Sequence, residues 1–302
     1  MNIPESAKLG IYKYLGDKTD AFLSQIDKKL NKYTNLWYLS DLSFMLTNTV
    51  NLLFSCISDL YGNCVLKMCI PGPEVATEIN CLRAYNGKGY CKLWKYDLSD
   101  SILLLEKIIP GDQMWAVSDH CERARLMALT VKNLSVVQNT SDQYPTYLSW
   151  MEIIREKLID IGNLQDILFY LNEAIRIYNE LKQRYSRNCL LHGDLHQENV
   201  LLNSDGNYII IDPKGVIDDP VMETARFLMN EMPCNRNKIY EMTAIMSPII
   251  GIPENDILKS MFIDAALGGS WSMEDHYPSH ETFEKEKQEI IRTCKFVYGL
   301  LD

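Results

Sequence analysis

The spacing of apolar residues changes about one third of the way along this 302-residue chain. In the first part, Phe22, Ile26 and Leu30 recur every four residues and predict a helix over residues 18–33. Short apolar runs separated by turn residues follow, and they predict an antiparallel sheet that carries one helix. In chain order these segments are the strand-like WYLSDL, NLLFSCIS and NCVLKMCI, the helical EVATEINCLRAY, and the strand-like YCKLWKYD and SILLLEKII.

The tripeptide PGD at residues 110–112 ends this region, and long amphipathic helical patterns follow it. A mostly β part before a mostly helical part predicts an α+β fold of two lobes with a cleft between them. We expect an N-terminal lobe with a leading helix over residues 1–109 and a helical lobe over residues 110–302. The predicted helices are HCERARLMALTVKNL, TYLSWMEIIREKLIDI, LQDILFYLNEAIRIYNELKQRY, METARFLMNEM, RNKIYEMTAIM, ENDILKSMFIDAALGGSW and TFEKEKQEIIRTCKFVYGLL.

One stretch inside the helical part, LHGDLHQENVLLNSDGNYIIIDPKG, contains two short apolar runs with polar residues at their ends. Asn199 follows Asp194 by five residues, and Asp212 follows Asn199 by thirteen. The turn NSDGN predicts a hairpin, which brings Asn199 and Asp212 to the same end of two strands. A single aspartate at a strand end is usually a turn or cap residue. The three residues together, preceded by His192 and Gly193, favour a catalytic site.

Phosphoryl transfer from a nucleotide requires this set of groups. Asp194 is the candidate base beside an acceptor hydroxyl, and Asn199 and Asp212 offer the hard oxygen ligands that Mg²⁺ prefers. The alternative is a metallohydrolase built on His192 and His196. That alternative leaves Lys67 and the candidate hinge, both described below, without a role.

Lys67 lies inside the apolar strand pattern NCVLKMC, where an ammonium group needs partners. Phosphates on one side and a helix carboxylate on the other would supply them. Glu78 on the following helix is the expected ion-pair partner, and Glu74, one turn earlier, is its competitor. The alternative is a lysine at a strand edge whose ammonium reaches water.

The segment LLLEKIIPG resembles a hinge in which Glu106 and Ile108 offer backbone groups to adenine, although a buried strand leaving a sheet would have the same pattern. The chain has no G-x-x-x-x-G-K-[ST] motif and no G-x-G-x-x-G motif between its first strands. The phosphate-covering turn is therefore assigned to FSCISDLYGN, with Ser55 or Ser58 as the donor.

The composition limits the classes of partner and compartment. A net charge of −10 argues against general nucleic-acid binding and favours a cationic small substrate through long-range attraction. No apolar run approaches the roughly 20 residues that cross a bilayer, and the N-terminus lacks the pattern of a secretory signal. The nine cysteines are scattered without a C-x-x-C pair, which predicts reduced thiols in the cytoplasm and no zinc site.

These residues resemble the aminoglycoside phosphotransferase family, whose members have the protein-kinase-like fold. The resemblance is closest to the streptomycin-type and hydroxyurea-resistance kinase branch, and it covers most of residues 50–277. It is carried by HGDLHQEN, by IIIDPKGVIDDP, by VLK with a downstream E-x-x-x-L, by LLLEKIIPG and by AALGGSWSMEDH.

The resemblance implies a small antiparallel N-lobe that binds nucleotide and a larger helical C-lobe that carries the catalytic loop and the acceptor site. It implies that Asp194 is the base, that Asn199 and Asp212 hold Mg²⁺, and that Lys67 contacts phosphate. His192 would hold the catalytic loop. Lys214 would approach the transferred phosphate or pair with Asp194. Asp219 before Pro220 is expected to cap the following helix.

The acceptor site is expected against the helical lobe, where acidic side chains would meet the amines of an aminoglycoside. Trp271 is a candidate wall of this site. Each of the acidic candidates has the alternative of being a solvated charge on a helix face. The acidic candidates are Asp218, Glu223, Asp264, Glu274 and Asp275.

The sequence therefore predicts a Mg²⁺-dependent O-phosphotransferase that uses ATP, with GTP as the alternative donor. The expected acceptor is a cationic, hydroxyl-bearing small molecule of the streptomycin type. A kinase of a housekeeping sugar, amino alcohol or nucleoside-like metabolite is the alternative. A weakly catalytic regulatory protein is disfavoured because Lys67, Asp194, Asn199 and Asp212 are all intact. A protein kinase is disfavoured because no long activation segment separates Asp212 from Asp219.

Overall fold

A computed structural model of the chain describes residues 3–46, 50–132, 134, 136–137, 144–233 and 235–301. Its first part combines helices with one five-stranded sheet. The strands pair antiparallel in the order β1-β2-β3-β5-β4. The elements are α1 (Glu5–Leu15), α2 (Thr19–Leu23), α3 (Ile26–Leu36), β1 (Leu39–Met45), β2 (Leu52–Ser58), β3 (Gly62–Met68), α4 (Pro73–Tyr85), β4 (Leu93–Asp97) and β5 (Ile102–Glu106).

Successive side chains of β3 point alternately to the two faces of this sheet, and each face packs against a different apolar core. Cys64, Leu66 and Met68 pack into the core that also holds the buried residues of α1 and α3. Because successive side chains of a strand point to opposite faces, Lys67 points to the other face, toward α4 and the rest of the molecule. The sheet thus directs one lysine toward the second lobe.

The second lobe is mainly helical and holds two small three-stranded sheets, ordered β10-β9-β6 and β11-β8-β7. The larger apolar core runs from α4 through this lobe to α11. The elements are β6 (Pro110–Gln113), α5 (His120–Lys132), β7 (Val136–Val137), α6 (Tyr147–Ile161), α7 (Gln165–Lys182), β8 (Cys189–Leu191), β9 (Val200–Asn203), β10 (Tyr208–Ile210), β11 (Val216–Asp218), α8 (Ala225–Asn230), α9 (Arg236–Ile250), α10 (Glu254–Ser272) and α11 (His280–Tyr298).

This architecture confirms the predicted α+β class with a small antiparallel sheet and a larger helical lobe. One predicted detail was wrong. The helix expected over residues 18–33 is two helices, α2 and α3, and the chain has a further helix, α1, before them. The PGD segment, predicted to end the first region, begins a short strand, β6, which pairs with β9 of the second lobe. The lobe boundary near residue 109 stays a prediction.

The two lobes are joined by more than the chain that connects β5 to β6. The hydroxyl of Tyr85, at the end of α4, donates to the carbonyl of Leu190 at 2.6 Å. The loop after α4 pairs with β10, because Ile210 donates to Gly89 and accepts from Cys91. The end of α4 is therefore fixed directly against the strands that carry the catalytic motif.

The first helix also contacts both lobes. Ile11 is buried in the core of the N-lobe. Two residues later, the carbonyl of Lys13 accepts from the backbone N–H of His276 at 2.9 Å, and the Lys13 ammonium lies 2.9 Å from an Asp275 oxygen. In the described part of the chain, no helix has the length and apolar character needed to cross a bilayer.

Candidate active site

Lys67 of β3 lies in a buried ion-pair network that connects the two lobes. Its Nζ lies 2.7 and 2.8 Å from the two carboxylate oxygens of Glu78, and it also contacts an Asp212 oxygen. The Lys67 side chain is 3% exposed. The expected pairing with Glu78 is confirmed, and the alternative of a lysine that reaches water is wrong.

Burial and charge compete in this network. Burial disfavours the charged form of Lys67, but Asp212 and Glu78 outweigh it and raise the Lys67 pKa well above its usual value. Burial likewise opposes ionisation of Asp212, yet Lys67 and Lys214 hold the pKa of Asp212 well below its usual range. Burial raises the pKa of Glu78 to about 7, against the pull of Lys67. The network thus holds a charged lysine and an ionised Asp212.

The loop that carries Asp194 is held by a neutral histidine. The backbone N–H of Asp194 donates to Nδ1 of His192 at 3.0 Å, and His192 Nε2 lies 2.8 Å from the carbonyl of Ile211. A carbonyl only accepts, so Nε2 carries the proton and Nδ1 is the acceptor. Burial lowers the pKa of His192 to about 4, which keeps the ring neutral. His192 thus ties the Asp194 loop to the strand end before Asp212.

Glu223 holds the same loop through two hydrogen bonds to its backbone. Its carboxylate accepts from the backbone N–H groups of His192 at 2.7 Å and Gly193 at 3.1 Å. Gly193 has φ +80°, and a Cβ there would lie 2.9 Å from both Trp150 and Val216. Only glycine suits this position, because it combines left-handed backbone with no space for a side chain.

The hairpin of β9 and β10 brings Asn199 and Asp212 together as expected. Val200 pairs with Ile210, and the N–H of Ile211 donates to the carbonyl of Asn199 at 3.0 Å. The Asn199 amide nitrogen donates to the carbonyl of Asp194 at 3.0 Å, which leaves its Oδ1 as an acceptor. Asp212 has φ 58°, a conformation that non-glycine residues rarely adopt and that is frequent at functional sites.

The structure gives Lys214 a partner other than the two expected for it. Its Nζ lies 2.7 Å from an oxygen of Glu74 on α4, so it does not pair with Asp194. The next residue, Gly215, has φ +74°, and a Cβ there would lie 2.8 Å from the carbonyl oxygen of Thr77. The D-P-K-G segment thus packs against the first turns of α4, where Glu74 is in reach of Lys214.

The hinge candidates lie at the end of β5. The N–H of Glu106 donates to the carbonyl of Lys92 at 2.9 Å, so its carbonyl is the group left for a nucleotide base. Within the described residues, the N–H of Ile108 makes no hydrogen bond, although Ile108 is buried. An unpaired N–H beside a cleft suits a base nitrogen.

The register of β2 and β3 argues against a phosphate contact of Ser58 and of the turn that follows it. Leu53 pairs with Lys67, whereas Ser58 pairs with Gly62 at the opposite end of the hairpin. The Ser58 hydroxyl instead accepts from the N–H of Leu60 within its own turn. The connection between β1 and β2 lies at the Lys67 end of the strands, and residues 47–49 of it lie outside the described residues.

Ser55 has a different position from Ser58. It lies on the sheet face of Lys67, because Ser55 pairs with Val65 and side chains alternate along the strands. Its hydroxyl accepts from Nζ of Lys107 at 2.7 Å. Ser55 therefore faces the cleft with its hydroxyl already engaged.

Two of the residues predicted to bind the acceptor are fully engaged inside the protein. Asp218 is 1% exposed and accepts from Tyr178 at 2.7 Å and from Lys182 at 2.9 Å. Glu223 supports the catalytic loop, as described above. Because neither carboxylate reaches the cleft, the structure contradicts the predicted acceptor contacts of Asp218 and Glu223. The neighbouring prediction for Asp219 is confirmed, since its carboxylate caps the next turn by accepting from the N–H of Val221.

The other acceptor candidates lie on or just after α10. Trp271 packs edge-to-face on Trp150 with centroids 5.2 Å apart, and Trp150 in turn lies against Gly193. Glu274 lies 2.7 Å from Lys157, and Asp275 pairs with Lys13. Both of these ion pairs are partly exposed, so each is worth little energy and exchanges partners readily.

Arg226 of α8 is a site residue that the sequence pattern did not single out. Its Nε lies 3.1 Å from an oxygen of Asp194 and 3.5 Å from an oxygen of Asp264. Asp264 is 2% exposed. The available signal was the arginine itself, which interrupts the apolar pattern of TARFLM near the HGD motif.

The metallohydrolase alternative lacks support in the geometry. Both ring nitrogens of His192 are bound to backbone groups, and those of His196 contact the Glu198 N–H and the Asn199 side chain. In the described ranges, the His, Cys and carboxylate ligand atoms that cluster closely enough for one ion belong to residues 119–121, away from this motif.

The two lobes, the buried lysine on β3 and the hairpin with its carboxylate define a protein-kinase-like fold. A choline/ethanolamine kinase family protein from Mesorhizobium loti has the same fold, with a TM-score of 0.70 at 14% identity over 90% of this chain and 94% of that one. An aminoglycoside phosphotransferase, APH(4)-Ia, solved with ADP and hygromycin B, aligns over 91% of this chain and 98% of that one, with a TM-score of 0.60 at 13% identity.

The family model of aminoglycoside/hydroxyurea antibiotic resistance kinases matches residues 54–276, and the chain belongs to this family. A hydroxyurea phosphotransferase of Kitasatospora aureofaciens is 30% identical over 181 residues, which cover 55% of this chain and only 49% of that protein. A streptomycin 6-kinase of Streptomyces glaucescens is 22% identical over 226 residues, which cover 73% of this chain and 72% of that protein.

Proposed function

We propose that this protein transfers the γ-phosphoryl group of Mg²⁺-bound ATP to a hydroxyl group of a small molecule. The observation that carries the proposal is the contact of Lys67 with both Glu78 and Asp212. It joins a lysine of the N-lobe sheet to the carboxylate that follows the catalytic hairpin. Kinases use these groups to position the phosphates and the metal.

The residues at the hairpin suit magnesium. Asp212 offers a carboxylate and Asn199 an amide oxygen, and Mg²⁺ prefers few protein oxygen ligands together with phosphate oxygens. We assign these two residues to the metal, which would neutralise charge on the phosphates. Lys67, held by Glu78, would contact the α- and β-phosphates, and the backbone of Glu106 and Ile108 would bind the base.

Asp194 would accept the proton of the acceptor hydroxyl. Its backbone is fixed on both sides, by His192 at its N–H and by Asn199 at its carbonyl. This fixation orients the carboxylate before the acceptor binds, which lowers the entropic cost of the reaction. Lys214 would neutralise charge on the transferred phosphoryl group, after exchanging its exposed contact with Glu74.

The acceptor has two candidates, and each has its own support. A streptomycin-type aminoglycoside is supported by the similarity to streptomycin 6-kinases and by the net charge of −10. For this acceptor, the amines would replace Lys157 and Lys13 at Glu274 and Asp275. A small neutral acceptor is supported by the similarity to hydroxyurea phosphotransferase and by the engagement of Asp218 and Glu223 within the protein.

The proposal is tested by measuring Mg²⁺-dependent ATP turnover with streptomycin, hydroxyurea and common metabolite alcohols. We expect Asp194→Ala to lower kcat for the active acceptor by roughly 10²- to 10⁴-fold, the usual contribution of a positioned base. Asp205→Ala, an exposed aspartate in the nearby turn, is the matched control and keeps full activity. Unchanged turnover in Asp194→Ala, or failure of the wild type to bind ATP, would overturn the proposal.

A further inference from the structure

Arg226 places a permanent positive charge directly beside the candidate base. Its Nε is 3.1 Å from an Asp194 oxygen, and its side chain is 26% exposed. Across α10, a Cβ at Gly268 would lie 3.1 and 3.2 Å from Nη2 and Nη1 of Arg226. The absence of a side chain at Gly268 therefore leaves the space that the guanidinium occupies.

The guanidinium retains donors at its outer end. Its Nε is buried near two carboxylates, and among the described residues neither this Nε nor Oδ2 of Asp264 makes a well-aligned hydrogen bond. The donors left for a ligand are therefore Nη1 and Nη2 of this partly exposed side chain. Asp264 is almost fully buried behind Arg226, and burial raises the pKa of this carboxyl to about 6 although Arg226 opposes the shift. Asp264, predicted as an acidic contact for the acceptor, is instead buried beside an arginine.

Two indole rings lie near the turn that carries Asp194. Asp264, Gly268 and Trp271 are spaced by four and three residues, so they share one face of α10. Trp271 packs on Trp150, which lies against the backbone next to Asp194. Trp150 and Arg226 therefore both lie beside the turn that carries Asp194, and Trp271 packs on Trp150.

We propose that Arg226 binds the acceptor and selects hydroxyl compounds that carry a carbonyl or carboxylate oxygen next to the reacting hydroxyl, in preference to polycations. This inference rests on the proposed function, because it takes Asp194 as the base. A guanidinium is a planar fork of N–H donors that fits such oxygens, and it repels ammonium groups. The same guanidinium would therefore bind acceptors that carry such an oxygen and reject acceptors that carry ammonium groups.

The proposed transfer forms one bond, breaks one bond and moves one proton. The acceptor oxygen forms a bond to the γ-phosphorus, the bond from that phosphorus to the β–γ bridging oxygen breaks, and ADP leaves. The hydroxyl proton passes to Asp194. Arg226 would hold the neighbouring oxygen of the acceptor and so aim the hydroxyl at the phosphorus.

The test compares four acceptors of different charge in wild type, Arg226→Gln and Arg226→Lys: glycolate, hydroxyurea, ethanolamine and streptomycin. We expect wild-type kcat/KM for glycolate or hydroxyurea to exceed the values for both cationic compounds at least tenfold. In Arg226→Gln, we expect this ratio of kcat/KM values to fall at least tenfold. The fall should come from a higher KM of the favoured acceptor, and the KM of ATP should be unchanged. Arg226→Lys recovers part of the preference, and Arg125→Gln, an exposed helical arginine paired with Glu122, behaves as wild type.

Wild-type preference for ethanolamine or streptomycin would overturn the inference. So would an equal loss of kcat for all four compounds in Arg226→Gln, since Arg226 would then only position Asp194. If none of the four is turned over, calorimetry with the ADP- and Mg²⁺-loaded protein decides, because glycolate or hydroxyurea must bind wild type at least tenfold more tightly than Arg226→Gln.

Two further controls separate folding and the proposed function from this inference. If Arg226→Gln does not fold, the double variant Arg226→Gln/Asp264→Asn removes both charges and takes its place in every comparison. If the wild type binds ATP but prefers a cationic acceptor, only the role of Arg226 is contradicted, and the proposed function stands. If the wild type does not bind ATP, the proposed function is contradicted.

Discussion

A single lysine holds a buried ion-pair network between the two lobes. Lys67 is almost fully buried, and it is satisfied by Glu78 from its own lobe and by Asp212 from the other. A buried ion pair contributes little net stability over an apolar replacement, but the loss of one partner leaves the other charge buried and unpaired. Under the proposed function, nucleotide binding and stability therefore depend on the same side chain.

Lys67→Met is expected to lower the free energy of unfolding by roughly 3–5 kcal/mol at pH 8, because Glu78 then remains buried without a cation. The loss should be smaller at pH 6, where Glu78 can be protonated. Lys67→Met/Glu78→Met should recover most of the stability without restoring activity. Urea unfolding of the two variants checks this, and a double variant as unstable as the single one would contradict it.

Glu223 gives a second prediction at this scale, on pH. Burial raises the pKa of Glu223 to about 7, although the N–H groups of His192 and Gly193 oppose the shift, whereas the ordinary pKa of a glutamate is 4.5. Between these values the folded state binds more protons, so stability falls as pH rises from 4.5 through 7. Over this pH range, Glu223 lowers the free energy of unfolding by an amount on the order of 3 kcal/mol.

Glu223→Gln is expected to flatten this fall while lowering stability at every pH, since one carboxylate acceptor is lost. The measurement is the free energy of unfolding in urea at pH 5, 6, 7 and 8. A slope equal to that of wild type would show that Glu223 has no raised pKa in the folded protein.

At the scale of elements, the turn that carries the base depends on glycine. Gly193 and Gly206 both have positive φ, at +80° and +78°, but only Gly193 is crowded. A Cβ at Gly206 would meet nothing within 4 Å, whereas one at Gly193 would collide with Trp150 and Val216. The two positions separate backbone strain from steric crowding.

Gly206→Ala is expected to cost roughly 1–2 kcal/mol, the penalty of left-handed backbone, and to leave activity unchanged. Gly193→Ala adds the collision, so it should cost roughly 2–5 kcal/mol and displace Asp194 with loss of kcat. Thermal unfolding and turnover of both variants provide the comparison. Equal losses of stability would contradict the argument from crowding.

At the scale of the whole molecule, the proposed nucleotide site is shared between the lobes. Lys67 belongs to the N-lobe sheet, and Asp212 follows a hairpin of the C-lobe, so a ligand that contacts both links the lobes. α1 adds a second link, with Ile11 in one core and Lys13 against residues 275–277 of the other lobe. Ligand binding should therefore stabilise the molecule as one unit.

Mg²⁺ and ATP at 100 times the dissociation constant are expected to stabilise the protein by about 2.7 kcal/mol and to raise Tm by several degrees. Chelation of the metal should reverse the metal-dependent part of the shift, and Asp212→Asn should abolish that part. Asp205→Asn is the matched control. A full shift in Asp212→Asn, measured by scanning calorimetry, would contradict the assignment of Asp212 to the metal.

The sequence by itself determined the α+β class, most of the helices and strands, and the set Lys67, Asp194, Asn199 and Asp212. These features are local, because the apolar period defines each element and the hairpin turn joins Asn199 to Asp212. The partner of Lys67 was also predictable, since Glu78 lies on the helix that directly follows β3. Confirmation of these contacts leaves their catalytic roles as predictions.

Only the tertiary structure decided which acidic side chains are paired inside the protein and which end of the β2–β3 hairpin lies beside Lys67. The register of β2 against β3 places Ser58 at the far end from Lys67, and no local pattern shows which end of a hairpin a ligand occupies. Asp218 meets Lys182, and Asp264 meets Arg226, across more than thirty residues of chain. A carboxylate has the same sequence signature whether it is free or paired, because its partner is chosen by packing and not by spacing.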